Sequence, residues 1–212
     1  VSQNYEKAIE NYERLVELYP ADGAGHNNLA VSYFLTLDFE RAREEGLRTL
    51  EIYPNSVLYR GNYALYAMYA GDFDTAVAEA QKVLEEDPGF YKAYLPLAMA
   101  ALASGDAQAA IGHYRSMSET GPSGESLATL GLADVAIHTG KLEEATTLLL
   151  AGIGRDREAG KRYDLGHKSI ALAAVYASQE SFAPAGEALK DALDHSRAEA
   201  IVFPAARLLG II

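Results

Sequence analysis

Residues 39–54 read FERAREEGLRTLEIYP, and residues 73–88 read FDTAVAEAQKVLEEDP. Each opens on Phe, carries Ala three residues on, and closes on Pro. The same frame lies over residues 5–20, YEKAIENYERLVELYP, and residues 107–122, AQAAIGHYRSMSETGP. In all four stretches Pro follows Ala by twelve residues, and Ala8, Ala42, Ala76 and Ala110 are each 34 apart. A fixed period of this length marks a stacked repeat, and it takes precedence over reading elements one at a time.

A second small residue lies twelve positions before each later Ala: Ala30, Ala64 and Ala98, preceded by Leu29, Tyr63 and Leu97. Turn signals separate the two halves, with LDF at 37–39, GDF at 71–73, GDA at 105–107 and GKL at 140–142. Gly ends one helix and Asp helps to start the next. The pattern predicts a helical hairpin. Ala at the crossing allows close approach, Leu, Tyr and Phe at i, i+3 and i+4 fill the space beside it, and Pro stops the second helix.

The expected organisation is one all-α array over residues 1–212, with about five to six units. Residues 3–19 form the second helix of a first unit that lacks its first helix. Full units follow at about 23–54, 57–88 and 91–122, and a fourth at 125–153. The pattern returns with Ala173 and Ala185 in the crossing positions. Ala145 and Ala185 are 40 apart instead of 34, so six residues are inserted, within 152–165. A last helix in 198–212 is read as a cap or as part of a further unit. The chain starts with Val1, directly in a helical pattern, and is read as a piece of a longer protein.

The inserted stretch lies in residues 152–168, GIGRDREAGKRYDLGHK, where Arg155, Arg157, Lys161, Arg162 and Lys168 gather beside glycines. A phosphate-binding loop needs four residues between its glycines, then Lys followed by Ser or Thr. Here five residues separate Gly154 from Gly160, and Arg162 follows Lys161. The stretch is therefore read as a lengthened connection: a longer second helix, a stop at Gly160 and a late entry into the next first helix near Tyr163, with mixed charges that suit a solvated loop, and with a secondary expectation that it protrudes and offers a basic contact.

Composition narrows function further. The net charge of -12 argues against nucleic acid or an anionic membrane surface as the partner, because phosphate recognition needs Lys and Arg in excess. No cysteine is present, which excludes disulfides, thiolate nucleophiles and Cys-based metal sites but leaves the compartment open. The longest apolar run, AYLPLAMAALA at 93–103, is too short to span a bilayer. His26, His113, His138, His167 and His195 show no metal-binding spacing. With no nucleophile elbow and no dinucleotide fingerprint either, the reading is a binding protein, not an enzyme, with no cofactor and no metal.

The 34-residue period, the paired Ala positions, the aromatic opening the second helix (Tyr5, Phe39, Phe73, Phe182) and the closing Pro resemble tetratricopeptide repeats. The resemblance implies a right-handed superhelical solenoid of antiparallel helix pairs. Its concave groove, lined by the first helices, would bind a partner protein or peptide with an apolar or amphipathic segment. The positions implied to face it include Asn27, Phe34, Asn62, Leu65, Met68, Tyr69, Lys92, Met99, Asp134 and His138, with Val31, Leu58 and Leu95 beside them. Some members clamp a C-terminal carboxylate with Lys and Asn, then Asn, then Lys and Arg. The corresponding positions here are Asn27, Val31, Asn62, Lys92 and Pro96, of which Asn62 and Lys92 alone match, so no such clamp is expected. The degenerate later units are similar to the repeat arms of bacterial multidomain regulators such as serine/threonine kinases. A rival reading is self-association, as a homodimer through the open N-terminal end, where Ile9, Tyr12 and Leu15 would be exposed.

Overall fold

The computed structural model describes residues 4–196 and 198–210, and among these there are twelve α-helices, one short 3-10 turn and no strand. The helices are α1 (Tyr5–Leu18), α2 (Gly23–Leu35), α3 (Phe39–Ile52), α4 (Val57–Tyr69), α5 (Phe73–Glu86), α6 (Tyr94–Ala103), α7 (Ala107–Glu119), α8 (Pro122–His138), α9 (Leu142–Glu158), α10 (Arg162–Ser178), α11 (Phe182–His195) and α12 (Glu199–Leu209). The 3-10 turn, Tyr91–Ala93, leads into α6. The chain divides into two compact units, residues 1–113 and 114–212.

In the first unit each helix from α1 to α6 packs on the next, and α4 also packs on α6. Short turns between consecutive packed helices make them antiparallel. The repeated alanines sit where the helices cross: Ala30, Ala42, Ala64, Ala76, Ala98 and Ala110 are all fully buried. Leu29, Tyr33 and Tyr66 fill the space beside Ala30 and Ala42, and Ile9, Tyr12, Val16 and Phe34 pack around them. Val83, Leu97 and Ala93 do the same beside Ala64 and Ala80.

Local chemistry explains where these helices begin. Asn4, Asp22, Asp38, Ser56, Asp72 and Asp106 each accept a hydrogen bond from a backbone N–H in the first turn that follows. Each bond satisfies a donor the helix itself leaves open, and is worth about 1 kcal/mol. Just before three of these caps the chain takes a left-handed residue, at Leu37 (φ 64), Gly71 (φ 84) and Gly105 (φ 83).

A second device also repeats. His26 Nε2 lies 3.0 Å from the Pro20 carbonyl, Arg60 donates to the Pro54 carbonyl at 2.6 Å, and the Tyr94 hydroxyl donates to the Pro88 carbonyl at 3.1 Å. These residues are 34 apart, and the first two also reach carboxylates 34 apart. His26 Nδ1 lies 2.6 Å from Glu45 Oε2, and Arg60 pairs with Glu79. The His26 and Arg60 braces tie the interhelical Pro turn to the following second helix, whereas Tyr94 holds the Pro turn alone.

The second unit keeps the architecture and changes the dimensions. α8 packs on α9, α9 on α10, α10 on α11, and α12 covers both α10 and α11. Its core gathers Ala133, Ala145, Leu149, Leu165, Leu172, Ala173 and Leu189. α8, α9 and α10 each have 17 residues, against 13 or 14 for α1 to α5. At 1.5 Å per residue that is roughly one further turn per helix.

The stretch 152–168 is a lengthened second helix, a turn at Gly160 and the start of the next first helix, and of the sequence expectations for it only the secondary one, a protruding basic loop, is not met. α9 continues through it to Glu158, Gly160 turns the chain with φ 69, and α10 starts at Arg162. Its basic side chains are engaged within the unit. Arg155 pairs with Glu125, Arg157 pairs with Asp191, and Lys161 donates to the Pro122 carbonyl. Lys168 is fully buried and donates to Asp156 and to the Ser126 hydroxyl. The physical reason is helical continuation: six additional residues extend a hydrogen-bonded ladder at lower cost than an unsatisfied loop would.

Candidate partner-binding surface

In the first unit the first helices of successive hairpins, α2, α4 and α6, run side by side. Asn62 Nδ2 on α4 is 3.5 Å from Asn27 Oδ1 on α2, so the two predicted polar positions meet. Phe34 on α2 meets Tyr69 on α4 edge-on, with ring centroids 5.0 Å apart. Leu65 and Met99 pack with Met68, Leu95 and Phe73 between α4 and α6.

A stripe on α4 links these contacts. Leu58, Asn62, Leu65 and Tyr69 follow one another at helical spacing and share a face. Its two ends are open, with Leu58 55% and Tyr69 46% exposed, while Asn62 and Leu65 are half-buried. Asn28 is exposed and Val31 half-buried on α2. Lys92 is exposed in the 3-10 turn, its ammonium 6.0 Å from the Tyr91 ring.

Two sequence expectations change. Met68 is 5% exposed, packed against Ala67, Ala76 and its apolar neighbours, so it supports the surface from beneath and cannot itself touch a partner. Ile9 and Tyr12 face α2 and are half-buried, because α1 packs on α2 as a second helix packs on the hairpin after it. The exposed apolar side chains of that region are Leu18 and Tyr19. Asp134 and His138 belong to the second unit, one turn apart on α8, and both are exposed.

Tyrosine chemistry follows position. Tyr63 and Tyr66 are buried, and burial pushes the Tyr66 phenol up to about 12. Tyr66 therefore acts as an aromatic wall. Nearby, the Arg41 guanidinium hydrogen-bonds Asp38 and holds its carboxyl below the usual carboxylate range, despite opposing burial. The sequence reading missed the braces of His26 and Arg60. Their signal was available, since His26, Arg60 and Tyr94 keep the 34-residue period, as do Glu45 and Glu79. Among the described residues no cluster of three His, Asp or Glu could hold a metal, and no helix is long and apolar enough to cross a membrane.

Paired helices with alanine crossings, packed each on the next, define a helical-repeat protein. The chain belongs to the tetratricopeptide-repeat family. Residues 2–57 and 64–125 match one tetratricopeptide-repeat family profile, and residues 101–165 match another. No curated protein sequence matches it. Its fold is similar to a thermophilic tetratricopeptide-repeat protein from Thermus thermophilus, with a TM-score of 0.72 and 16% identity over 88% of this chain and 98% of that one. It is also similar to a chain of the APC/C hetero-tetramer Cut9–Hcn1 (TM-score 0.66, 15% identity, 97% of this chain and 40% of that chain). Yeast Tom70 is a third (TM-score 0.62, 16% identity, 96% and 43%). The chain thus spans less than half of the last two, and at these identities the likeness is one of fold.

Proposed function

We propose that this protein holds an apolar or amphipathic segment of a partner protein against the first helices of its repeats. The stripe of Leu58, Asn62, Leu65 and Tyr69 on α4 carries the reading. A soluble surface rarely keeps large apolar side chains in a row without a partner to cover them. Asn27, Asn62 and Lys92 fix the partner's backbone and polar groups, while Phe34, Leu65, Tyr69 and Met99 supply the apolar contact. Asp134 and His138 offer a further polar position on the second unit. The mechanism is geometric: a rigid helical surface is ordered before the partner arrives, so the repeats lose little freedom on binding. No chemical reaction is assigned.

Selection of a random peptide display library against the full chain tests this reading. Selected peptides are expected to bind at least about tenfold more weakly to Leu58→Glu than to the native chain. Leu58 is exposed, so that variant keeps its fold. Equal binding by both would refute the groove.

A second reading is self-association through α1, supported by the exposed Leu18 and Tyr19. Light scattering across a concentration series decides it, and a constant monomer mass removes it.

A further inference from the structure

We infer that His26 is a proton-operated latch, which ties the turn after α1 to α3 while its imidazole carries both ring protons and loosens α1 when one is lost. Both ring nitrogens meet oxygens that accept. Nδ1 lies 2.6 Å from Glu45 Oε2 on α3, and Nε2 lies 3.0 Å from the carbonyl of Pro20, in the turn between α1 and α2. A neutral imidazole has one N–H and one bare lone pair, so either tautomer sets a lone pair against an oxygen. The imidazolium donates to both. The next repeat supports this reading independently. Arg60, 34 residues on, donates to the Pro54 carbonyl and pairs with Glu79. Arginine is always charged and has no acceptor, so there the same two contacts are made by a permanent cation. The frame of one proline carbonyl and one carboxylate, repeated at 34 residues, is a receptor for a cation that donates twice.

The other charged groups nearby are already engaged. Asp22, at the start of α2, accepts from the Ala24 and Gly25 N–H groups, and Glu13 of α1 accepts from the Tyr33 hydroxyl. On α3, Arg48 pairs with Glu51, and on α4 Arg60 serves its own brace. Glu45 is therefore the carboxylate that answers to His26. His26 is 8% exposed, so water cannot readily replace a bond that is lost. The helix that depends on the latch is α1. It packs on α2 through Ile9, Tyr12 and Val16, and Glu13 gives it a further tie to Tyr33. The latched form holds one proton more than the released form. Its stabilisation is thus present on the acid side of the imidazole titration, while Glu45 stays ionised, and is lost as pH rises through it. The Arg60 brace does not change over that range, so the first hairpin alone responds.

The test follows the ring nitrogens of His26 by NMR in the full chain from about pH 5 to about pH 8, beside amide hydrogen exchange of α1 corrected for its intrinsic pH dependence. His26 is expected to pass from two protonated nitrogens to one, and α1 to lose about tenfold of its protection over the same pH interval, as the loss of a charge-assisted hydrogen bond requires. His26→Arg copies the Arg60 brace and is expected to abolish the pH response of α1. The other four histidines are unchanged in that variant, so they cannot account for the difference. The proposal is overturned if His26 carries a single proton throughout, if it does not titrate in this range, if it titrates while α1 keeps its protection, or if His26→Arg retains the response. The nitrogen measurement needs no variant, and decides the first three outcomes even if His26→Arg fails to fold.

Discussion

Lys168 Nζ lies 2.6 Å from Asp156 Oδ2, and neither side chain reaches solvent to any useful extent. Ser126 completes the arrangement, accepting from Lys168 and donating toward Asp156. Two opposite charges held in a low-dielectric interior depend on one another. Lys168→Ala or Asp156→Ala leaves a lone buried charge and is expected to cost roughly 3–5 kcal/mol. Replacing both with apolar residues of similar volume is expected to recover most of that loss. Chemical denaturation of the two single variants and the double variant checks the coupling.

Gly152 admits this pair. A methyl group added there would lie 2.8 Å from Lys168 Cδ and 2.8 Å from Thr129 Cγ2. Gly152→Ala raises intrinsic helix propensity in α9, yet it is expected to destabilise by about 1–3 kcal/mol, because crowding outweighs propensity. Thermal unfolding of the variant reads the sign directly.

Leu37 holds a left-handed backbone conformation with its side chain 74% exposed, where the next hairpin turns have glycine, and the strain has a stability consequence. Leu37→Gly removes a left-handed side chain and uncovers almost nothing, so it is expected to stabilise by about 1 kcal/mol. A shift of the denaturation midpoint to higher denaturant, with an unchanged slope, is the expected result.

Acid sensitivity follows from Glu79. Burial works to raise its carboxyl, but Lys82 and Arg60 outweigh that and hold it below its ordinary value of 4.5. In the unfolded chain Glu79 therefore takes up a proton at higher pH than in the folded one. Its contribution to stability is full above the ordinary value and is lost as pH falls through the lowered one. Native chain and Glu79→Gln are expected to differ in stability at neutral pH, and the gap is expected to close in acid, as followed by denaturation at a series of pH values.

The part of the fold that rests on the period was legible from sequence. A crossing alanine must be small in every repeat, so Ala42, Ala76 and Ala110 announce themselves by spacing alone, and each is fully buried. Lys168 was not legible. A lysine beside four other basic residues reads as surface charge, and its partners Asp156 and Ser126 follow no repeat spacing. They meet because α9 is longer than the second helices before it. The family-profile match stops at residue 165, while helix pairs continue through α11. Of the candidate surface, Asn27 and Asn62 could be placed opposite each other from the period. The burial of Met68 could not, because the period tells which helix face a residue occupies but not how deeply the next hairpin covers it.

The side-chain caps have a kinetic meaning. Every first-unit helix except α6 starts on a residue whose side chain ties down its opening N–H groups, whereas α8 to α12 carry no such bond. Helix ends without a tether fray more readily, and repeat stacks can open by segments instead of all at once. The two units are thus expected to differ in permanence, with the opening amide protons of the uncapped second-unit helices trading with water sooner than those of the capped helices in the first unit.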